Sequence, residues 1–260
     1  MKKVGSKLGW LKLPLYGALL FLYLPIAVLI FMSFNESDAP FTWTGFSTRW
    51  YGELISSPEI LTGFRNTLIV AIAATIIAVV LGTLLAVGLA RYQRSAALEA
   101  IALTPAIFPD LALAIGLLTL FTNLNYALGL DSVIISHALF CAAFVTAIVR
   151  GRLHQIDSSL EQAAADLGDT AVGAFFRITL PSIKPALIAG ALLSFTLSLD
   201  EFVIAFFTNG PSTPTLPIVI YSMVRFGVSP EINALATLVL LTSALIIIIA
   251  QRNLKVKDQI

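Results

Sequence analysis

The chain of 260 residues is 58% hydrophobic and only 12% charged, with a formal net charge of +1. Soluble domains are nearer to about 45–50% apolar and about 25% charged, so this composition excludes an ordinary soluble protein and also a long disordered segment. The single cysteine excludes an intrachain disulfide and a thiolate metal cluster. The composition therefore indicates a membrane protein.

Long stretches without Asp, Glu, Lys or Arg divide the chain. Each is at least about 18 residues long, which is enough for a helix to cross the hydrocarbon core of a bilayer. Because backbone polar groups in lipid must be paired within the segment, we expect helices, and the alternating segments of a β-barrel are not evident. The prediction is an all-α polytopic membrane protein with one transmembrane domain over 1–260. Its six transmembrane helices are predicted at about 13–34, 66–90, 100–122, 132–150, 186–207 and 231–250.

The basic residues are distributed unevenly over the predicted loops. Six spans place both termini on one side, and the other side holds only Arg49, Arg65 and Arg225. Cytoplasmic loops carry the excess of Lys and Arg, so both termini are predicted to be cytoplasmic. The loops assigned in this way are a cytoplasmic loop over 151–184 and outer loops over 35–65, 123–131 and 208–230.

The N-terminus has features of a signal peptide, since Lys2, Lys3, Lys7 and Lys12 precede an apolar stretch. The apolar region of a signal peptide is about 7–15 residues long and is followed by a small-residue cleavage site. The apolar stretch of this chain is about 22 residues long, which is longer than that, and it lacks an A-x-A site. It is therefore predicted to be a retained first helix.

The cytoplasmic loop has the pattern of two short helices. The first begins at Ser158 or Ser159, either of which completes a capping box with the side chain three residues later, and it ends at Gly168. The second carries two phenylalanines and ends at Leu180-Pro181. From spacing alone, this helix-turn-helix either packs only on its own membrane domain or binds a partner.

The same loop resembles the "EAA" loop of permeases from ATP-binding-cassette (ABC) importers. The family pattern is E-A-A, three residues, Gly, nine residues, then I-x-L-P. Here two alanines precede Gly168 at the family spacing, and Ile178-Thr179-Leu180-Pro181 follows after nine residues. The resemblance implies that this loop is a coupling helix that docks into a groove on a separate ATPase subunit. The coupling-loop residues it assigns are Glu161, Gln162, Ala163, Ala164, Gly168, Ile178, Leu180 and Pro181.

The chain departs from the family pattern at the acidic position. Gln162 stands directly before the two alanines, and Glu161 lies one residue earlier, about 100° around a helix. Glutamine keeps the length and hydrogen-bonding ability of glutamate but loses its charge-assisted pairing. Whether Glu161 or Gln162 makes the main contact with the ATPase stays open at this point.

Other stretches resemble the permeases of polyamine importers, and the resemblance covers essentially the whole chain. The matching stretches are 47–51, 195–201, 210–217 and 221–237. They resemble the second permease subunit of a spermidine/putrescine importer, of the PotC or PotI type. The resemblance implies the MetI-like fold of type I importers, a bacterial inner-membrane location, and import by alternating access driven by a separate ATPase. The partners it implies are two ABC ATPase subunits, a second and distinct permease subunit, a periplasmic polyamine-binding protein and membrane lipid, with no nucleic acid.

Three acidic residues fall inside predicted spans, whereas no Lys or Arg lies in a span interior. An ionisable side chain at membrane depth is costly and points to function, so Asp110, Asp200 and Glu201 are candidate substrate-pathway residues for a cationic cargo. Structural alternatives stay open. Asp110 follows Pro109 and could cap a broken half-helix, and Asp200 or Glu201 could pair with a partner subunit or anchor a gate.

Sequence signals for covalent or nucleotide chemistry are absent. The chain has no G-x-x-x-x-G-K-[ST] phosphate loop and no G-x-S-x-G or H-E-x-x-H motif, and its two histidines are too few for a His-rich metal site. We therefore expect a non-catalytic subunit without cofactor or metal, with ATP hydrolysis in a partner. The alternatives are an ABC permease for another small solute, a receptor or scaffold, and an autonomous secondary transporter, which would need coupling-ion sites and usually internal repeats.

Overall fold

The structure, a computed structural model, describes residues 12–39, 42–92, 95–157, 159–226 and 230–255. Lys2, Lys3, Lys7 and Ser158, which enter the sequence predictions, lie outside these residues. All regular elements in the described ranges are helices. In chain order they are α1 (Lys12–Met32), α2 (Arg49–Ser56), α3 (Pro58–Val87) with a π-helical segment (Gly88–Tyr92), α4 (Ala96–Ile107), α5 (Asp110–Asn123), α6 (Leu130–Leu153), α7 (Ser159–Asp166), α8 (Ala171–Ala174) with a π-helical segment (Phe175–Thr179), α9 (Leu180–Asp200), α10 (Val203–Thr208), α11 (Leu216–Phe226) and α12 (Pro230–Lys255).

The all-helical class is confirmed. Within the described ranges, four helices are long and apolar enough to cross a membrane, and a bent pair, α4 with α5, adds a fifth if it counts as one span. The four are Lys12–Met32, Pro58–Arg91, Leu130–Leu153 and Ala171–Asp200. The apolar part of α12, Pro230–Leu245, is shorter.

The predicted third span, 100–122, is broken into two half-helices. Phe108 is extended, with φ −66° and ψ 146°, because a residue that precedes proline avoids the helical region. The second half-helix then begins at Asp110, and the two halves meet at an angle of 106°. The predicted span over 100–122 is therefore interrupted at Pro109, where the sequence allowed a broken half-helix.

The predicted fifth span, 186–207, begins earlier than expected. The helix that starts at Ala171 continues through the π-helical segment into α9, so Leu180-Pro181 does not end a helix. Pro181, which has no N–H group, stands directly after the π-helical segment, where the α-helical hydrogen-bond register is already interrupted. The preceding residue, Leu180, donates its N–H to the Phe175 carbonyl in the i→i+5 pattern of a π-helix. The loop predicted over 151–184 is correspondingly shorter.

The same predicted span also ends earlier. Helix α9 stops at Asp200, Glu201 is extended with ψ 108°, and α10 begins at Val203. The segment 186–207 is therefore a long helix followed by a short one, and both acids of the predicted span lie at the break.

The chain separates into two compact units. The first comprises Met1–Leu61 and Ile220–Ile249, and the second comprises Thr62–Val219 and Ala250–Ile260.

In the first unit, Asn35 organises the segment that follows α1. Its side chain is fully buried, with Nδ2 donating to the Thr42 carbonyl at 2.7 Å and Oδ1 accepting from the Thr44 N–H at 3.1 Å. The Trp50 indole N–H donates to the Asn35 carbonyl at 2.8 Å. Because the buried polar groups of Asn35 are paired in this way, its hydrogen bonds hold Thr42, Thr44 and Trp50 close to the end of α1.

In the second unit, α6 is the most enclosed apolar helix, with 67% of its most apolar stretch buried. It approaches α3 closely at Gly82, where an added Cβ atom would lie 2.7 Å from the Ala142 carbonyl oxygen. The Thr146 hydroxyl shares its proton between the Ala142 carbonyl of its own helix, at 2.7 Å, and the Gly82 carbonyl of α3, at 3.2 Å. Since lipid is as apolar as leucine, small residues and interhelical hydrogen bonds of this kind hold membrane helices together.

Candidate functional site

The first helix of the predicted coupling loop, α7, begins after Asp157. The Asp157 carboxylate accepts a hydrogen bond from the Ser159 N–H at 2.9 Å, and this bond holds the pKa of Asp157 below its ordinary value. A side chain in this position pairs an N–H group that the start of a helix leaves free. Ser159 is the first residue of α7, and the other candidate cap, Ser158, lies outside the described residues.

The end of α7 is set by Gly168, which adopts the left-handed conformation with φ +86°. The Gly168 N–H donates to the Ala165 carbonyl and the Asp169 N–H to the Ala164 carbonyl, both at 2.9 Å. This is the Schellman pattern that pairs the last carbonyls of a helix. Two residues after Gly168, the Thr170 side chain caps α8 by accepting the Gly173 N–H at 3.0 Å. The chain therefore reverses sharply at Gly168, as its C′ character predicts.

Glu161 and Gln162 have different surroundings although they are adjacent. The Glu161 carboxylate accepts a hydrogen bond from the Thr179 hydroxyl at 2.6 Å and lies 3.2 Å from Nε of Arg91. Gln162 is exposed. The acid is therefore engaged within this chain, while the residue at the family's acidic position is free to meet a partner.

An exposed surface, here called the loop surface, surrounds the Gly168 turn. Its apolar members are more than half exposed, and Leu167 reaches 90%. Ala163 is also exposed. Of the remaining predicted residues, Pro181 is exposed, whereas Ala164, Ile178 and Leu180 are partly buried. Leu180 packs against the core. The loop surface consists of Leu160, Gln162, Ala163, Leu167, Val172 and Phe176.

The three acids of the predicted spans all lie at helix breaks. Asp110 is the first residue of α5, Asp200 is the last residue of α9, and Glu201 follows it. The Glu201 carboxylate accepts the Ile204 N–H at 2.9 Å, so it caps the short helix α10. Capping, which the sequence allowed for Asp110, is thus observed at Glu201, whereas Asp110 is the first residue of its half-helix, where the helix dipole favours an acid.

The fold brings two of these acids together. Helix α10 packs against α5, and Glu201 and Asp110 are close enough for their charges to interact. Asp200 lies instead at the carbonyl end of α9 and is exposed. An acid at that end of a helix is disfavoured by the dipole, so the position favours a cation.

The sequence matches the family model described as "Binding-protein-dependent transport system inner membrane component" over residues 78–256. The chain belongs to this family. It is therefore an inner-membrane transport component.

Named relatives in this family cover most of the chain. The "Putrescine transport system permease protein PotI" of Escherichia coli K12 is 44% identical over 229 residues, which are 85% of this chain and 82% of the relative. The "Spermidine/putrescine transport system permease protein PotC" of the same organism is 41% identical over 233 residues, which are 89% and 88% of the two chains.

The fold of this family member is that of ABC importer permeases. A bacterial ABC transporter structure described as importing the acidic polysaccharide alginate matches it with a TM-score of 0.76 over 95% of this chain and 94% of that chain, at 19% identity. At that identity, the match speaks for the fold and not for the cargo.

His137 in this permease forms part of a polar contact between two helices. The side chain is 1% exposed, and its Nδ1 atom lies 2.8 Å from the Ser198 hydroxyl of α9. One turn further along α6, the Cys141 thiol lies 3.5 Å from the Ser194 carbonyl. His137 is therefore a hydrogen-bonded residue of the helix interface, and its partner Ser198 lies two residues before the acid that ends α9.

Sequence reasoning missed two residues that hold the coupling loop of this permease. Arg91 lies in the π-helical segment after α3, and Thr179 lies in the one before α9. Thr179 stands inside the I-x-L-P pattern at its variable position, so the pattern itself carried no signal for it. Arg91 carried one weak signal, since it is a basic residue at the end of a span, but nothing local indicated its partner.

Proposed function

We propose that this chain is the permease subunit of a binding-protein-dependent ABC importer that moves polyamines such as putrescine and spermidine into the cytoplasm. The observation that carries the proposal is identity of 44% and 41%, over most of the chain, to permeases named for putrescine and for spermidine/putrescine. The acids at the helix breaks agree with a cationic cargo, because they would otherwise leave negative charge at membrane depth without compensation.

The loop surface is the proposed docking site for an ABC ATPase subunit. Exposed apolar side chains around a rigid turn suit a groove on a partner, since burying them gains about 25 cal/mol per Å². Gln162 stands at the family's acidic position and is the polar residue of this surface. ATP hydrolysis belongs to the partner in this proposal, because the chain has no phosphate loop.

The proposed topology has six spans with both termini in the cytoplasm. The spans would be α1, α3, the bent pair α4–α5, α6, α9 with α10, and α12. The concentration of basic residues on the side of the termini supports this orientation.

The proposed assembly contains two ATPase subunits, a second and distinct permease subunit, and a periplasmic polyamine-binding protein. Helix α1 supports contact with lipid or a partner subunit, because none of its residues is buried within the described structure. Alternating access would then result from nucleotide-driven movement of the ATPases, transmitted through the loop surface.

The proposed substrate pathway passes the acids at the two helix breaks, and Asp200 is its leading residue. Discontinuous membrane helices commonly expose their ends to a transported ion or solute. At the end of α9, the last carbonyls and the Asp200 carboxylate present negative charge together. Asp110 and Glu201 would contribute to the same potential, although the ends of α5 and α10 partly compensate for their charge.

Uptake by the complete complex tests this proposal. Cells that lack their own polyamine importers, and that express this chain with the other subunits of the proposed complex, should accumulate radiolabelled putrescine or spermidine. A neutral or anionic solute of similar size should not be taken up. Uptake of the neutral or anionic solute alone would show that the cargo is different, and uptake by this chain without ATPase would indicate a secondary transporter.

A further inference from the structure

Glu161 lies on the side of α7 that faces this chain's own membrane helices. Its Oε2 atom is 3.2 Å from Nε of Arg91, and its Oε1 atom accepts the hydrogen bond from Thr179 at 2.6 Å. The Arg91 and Glu161 side chains are only 18% and 24% exposed, so solvent screens their interaction less than that of a surface ion pair. One carboxylate therefore joins three segments: α7, the end of α3 and the segment that precedes α9.

Both segments that Glu161 contacts are π-helical. They are Gly88–Tyr92, which continues α3, and Phe175–Thr179, which leads into α9. Single π-helical turns are uncommon in proteins and occur frequently at functional sites, because their i→i+5 hydrogen bonds interrupt the α-helical register. Glu161 thus contacts two membrane helices at the points where their regular hydrogen bonding changes.

A cleft of about 440 Å³ lies beside this contact. The lining includes alanines from three segments, Ala90, Ala165 and Ala174, together with the larger Val87 and Phe175. Because this space is not filled by large side chains, α7 is not fixed by close packing along the cleft. The bonds of Glu161 therefore hold α7 in place beside a cavity.

Arg91 depends on this arrangement as well. Its Nε and Nη2 atoms are buried and form no hydrogen bond within the described residues, which leaves the ion pair to compensate for the charge. Removing one partner from a shielded ion pair leaves an uncompensated charge, which costs more than the pair itself contributes. Because breaking it is costly, we expect the contact between Arg91 and Glu161 to persist when the loop moves.

We propose that Glu161 is a positioning residue that ties the coupling helix α7 to the end of α3 and the start of α9, so that a displacement of α7 reaches both membrane helices. The inference rests on the proposed function, because the displacement is that imposed by the ATPase. The proposal gives these adjacent residues different roles. Gln162 contacts the partner, and Glu161 transmits the movement inside this chain.

Three substitutions in the complete complex, reconstituted into proteoliposomes, test the tie. Glu161→Gln removes the charge but keeps an oxygen that can accept the Thr179 hydrogen bond. Arg91→Gln removes the other charge, and Thr179→Val removes the hydroxyl at nearly constant volume. We expect Glu161→Gln and Arg91→Gln to lower the number of polyamine molecules imported per ATP hydrolysed by about two- to thirtyfold, while the ATPase subunits still co-purify. Thr179→Val should lower it less.

The double variant Glu161→Gln/Arg91→Gln should be no worse than either single variant, since all three lack the same ion pair. Asp166→Asn is the matched control, because it removes a carboxylate from an exposed position on the same helix and should keep the wild-type ratio. A wild-type ratio in both Glu161→Gln and Arg91→Gln would overturn the proposal. Loss of the ATPase subunits from the Glu161→Gln complex would also overturn it, since Glu161 would then be a docking residue.

A second measurement does not depend on the cargo. Spin labels on cysteines introduced at Leu84 and Asp166 report the distance between α3 and α7 in the complex. We expect a narrow distance distribution with and without ATP in the wild-type background and a broad one in Glu161→Gln. Identical distributions in the two backgrounds would refute the tie. If wild-type complexes import no polyamine but the labels behave as expected, the cargo proposal fails and the tie stands.

Discussion

Asp200 and Glu201 are adjacent, yet the break after α9 gives their carboxylates different surroundings. Glu201 caps α10 through the Ile204 N–H, and that bond stabilises its charge. Asp200 lies at the carbonyl end of α9 and is exposed. A bound ammonium group would stabilise Asp200 most, because the helix end adds to its negative potential.

The first prediction concerns this residue. Asp200→Asn should raise the KM for polyamine uptake by about tenfold or more, since a hydrogen bond to a charged group contributes about 1.5–3 kcal/mol. Glu201→Gln is the control, because its amide oxygen can still cap α10. We expect it to change the KM less. Concentration-dependent uptake of labelled putrescine measures both, and equal KM values in the two variants would contradict a special role of Asp200.

At the residue scale, the sequence could identify the three membrane acids but could not rank them. Their position within apolar runs is visible without a structure. Their roles follow from helix ends: Glu201 caps, Asp110 begins a half-helix and Asp200 ends one. Those ends depend on tertiary packing, which local residue patterns do not encode.

At the scale of elements, Gly168 has a defined conformational role. Its φ of +86° is in the region that side chains with a Cβ atom rarely adopt, whereas an added Cβ would meet no atom of the chain within 4 Å. The cost of a substitution therefore comes from the backbone conformation, not from crowding within the chain. Substitutions at Gly168 therefore test the conformation of the turn separately from the fit of the loop surface to a partner.

The second prediction uses that distinction. Gly168→Val should lower polyamine uptake while the protein stays in the membrane, because a left-handed β-branched residue costs about 1–2 kcal/mol or more and opens the turn. Gly168→Asn keeps much of the turn, since asparagine tolerates the left-handed region. Uptake and membrane content of both variants are measured together. Equal uptake by the Val and Asn variants would indicate that the backbone conformation is not what matters.

The long helices were largely predictable, whereas the geometry of their interruptions was not. Charge-free runs locate spans because lipid excludes charge along the whole helix. Pro109 was visible in the sequence, but a proline either kinks or ends a helix, and the 106° bend depends on how α5 packs. The break at Glu201 has no proline or glycine to announce it. Pro181 was expected to end a helix, and the π-helical register ahead of it allowed the helix to continue.

The coupling loop was predictable in its turn but not in its contacts. Gly168 has a local requirement that shows in residue type and spacing. The partners of Glu161 are Arg91 and Thr179, which are distant along the chain and come close only when α3, α7 and α9 assemble. Such contacts are set by the tertiary fold, so spacing within the loop could not reveal them.

At the scale of the whole molecule, the chain is expected to transport only as part of a complex. The third prediction is that the purified chain hydrolyses no ATP, because it lacks a phosphate loop, and that hydrolysis appears when the ATPase subunits are added. Phosphate release with and without these subunits measures this. As a control, the Gly168→Val chain should stimulate ATP hydrolysis by the added ATPase subunits less than the wild-type chain does. Turnover by a contaminant-free preparation of the chain alone would contradict the proposed division of labour.

The location of Cys141 has a practical consequence for mapping the whole molecule. It is the one cysteine of the chain and is fully buried between α6 and α9. A maleimide reagent that does not enter the membrane domain therefore leaves the wild-type chain unlabelled. Cysteines introduced one at a time can therefore be tested for labelling from either face of the bilayer. The native thiol does not have to be replaced first, because it gives no signal of its own.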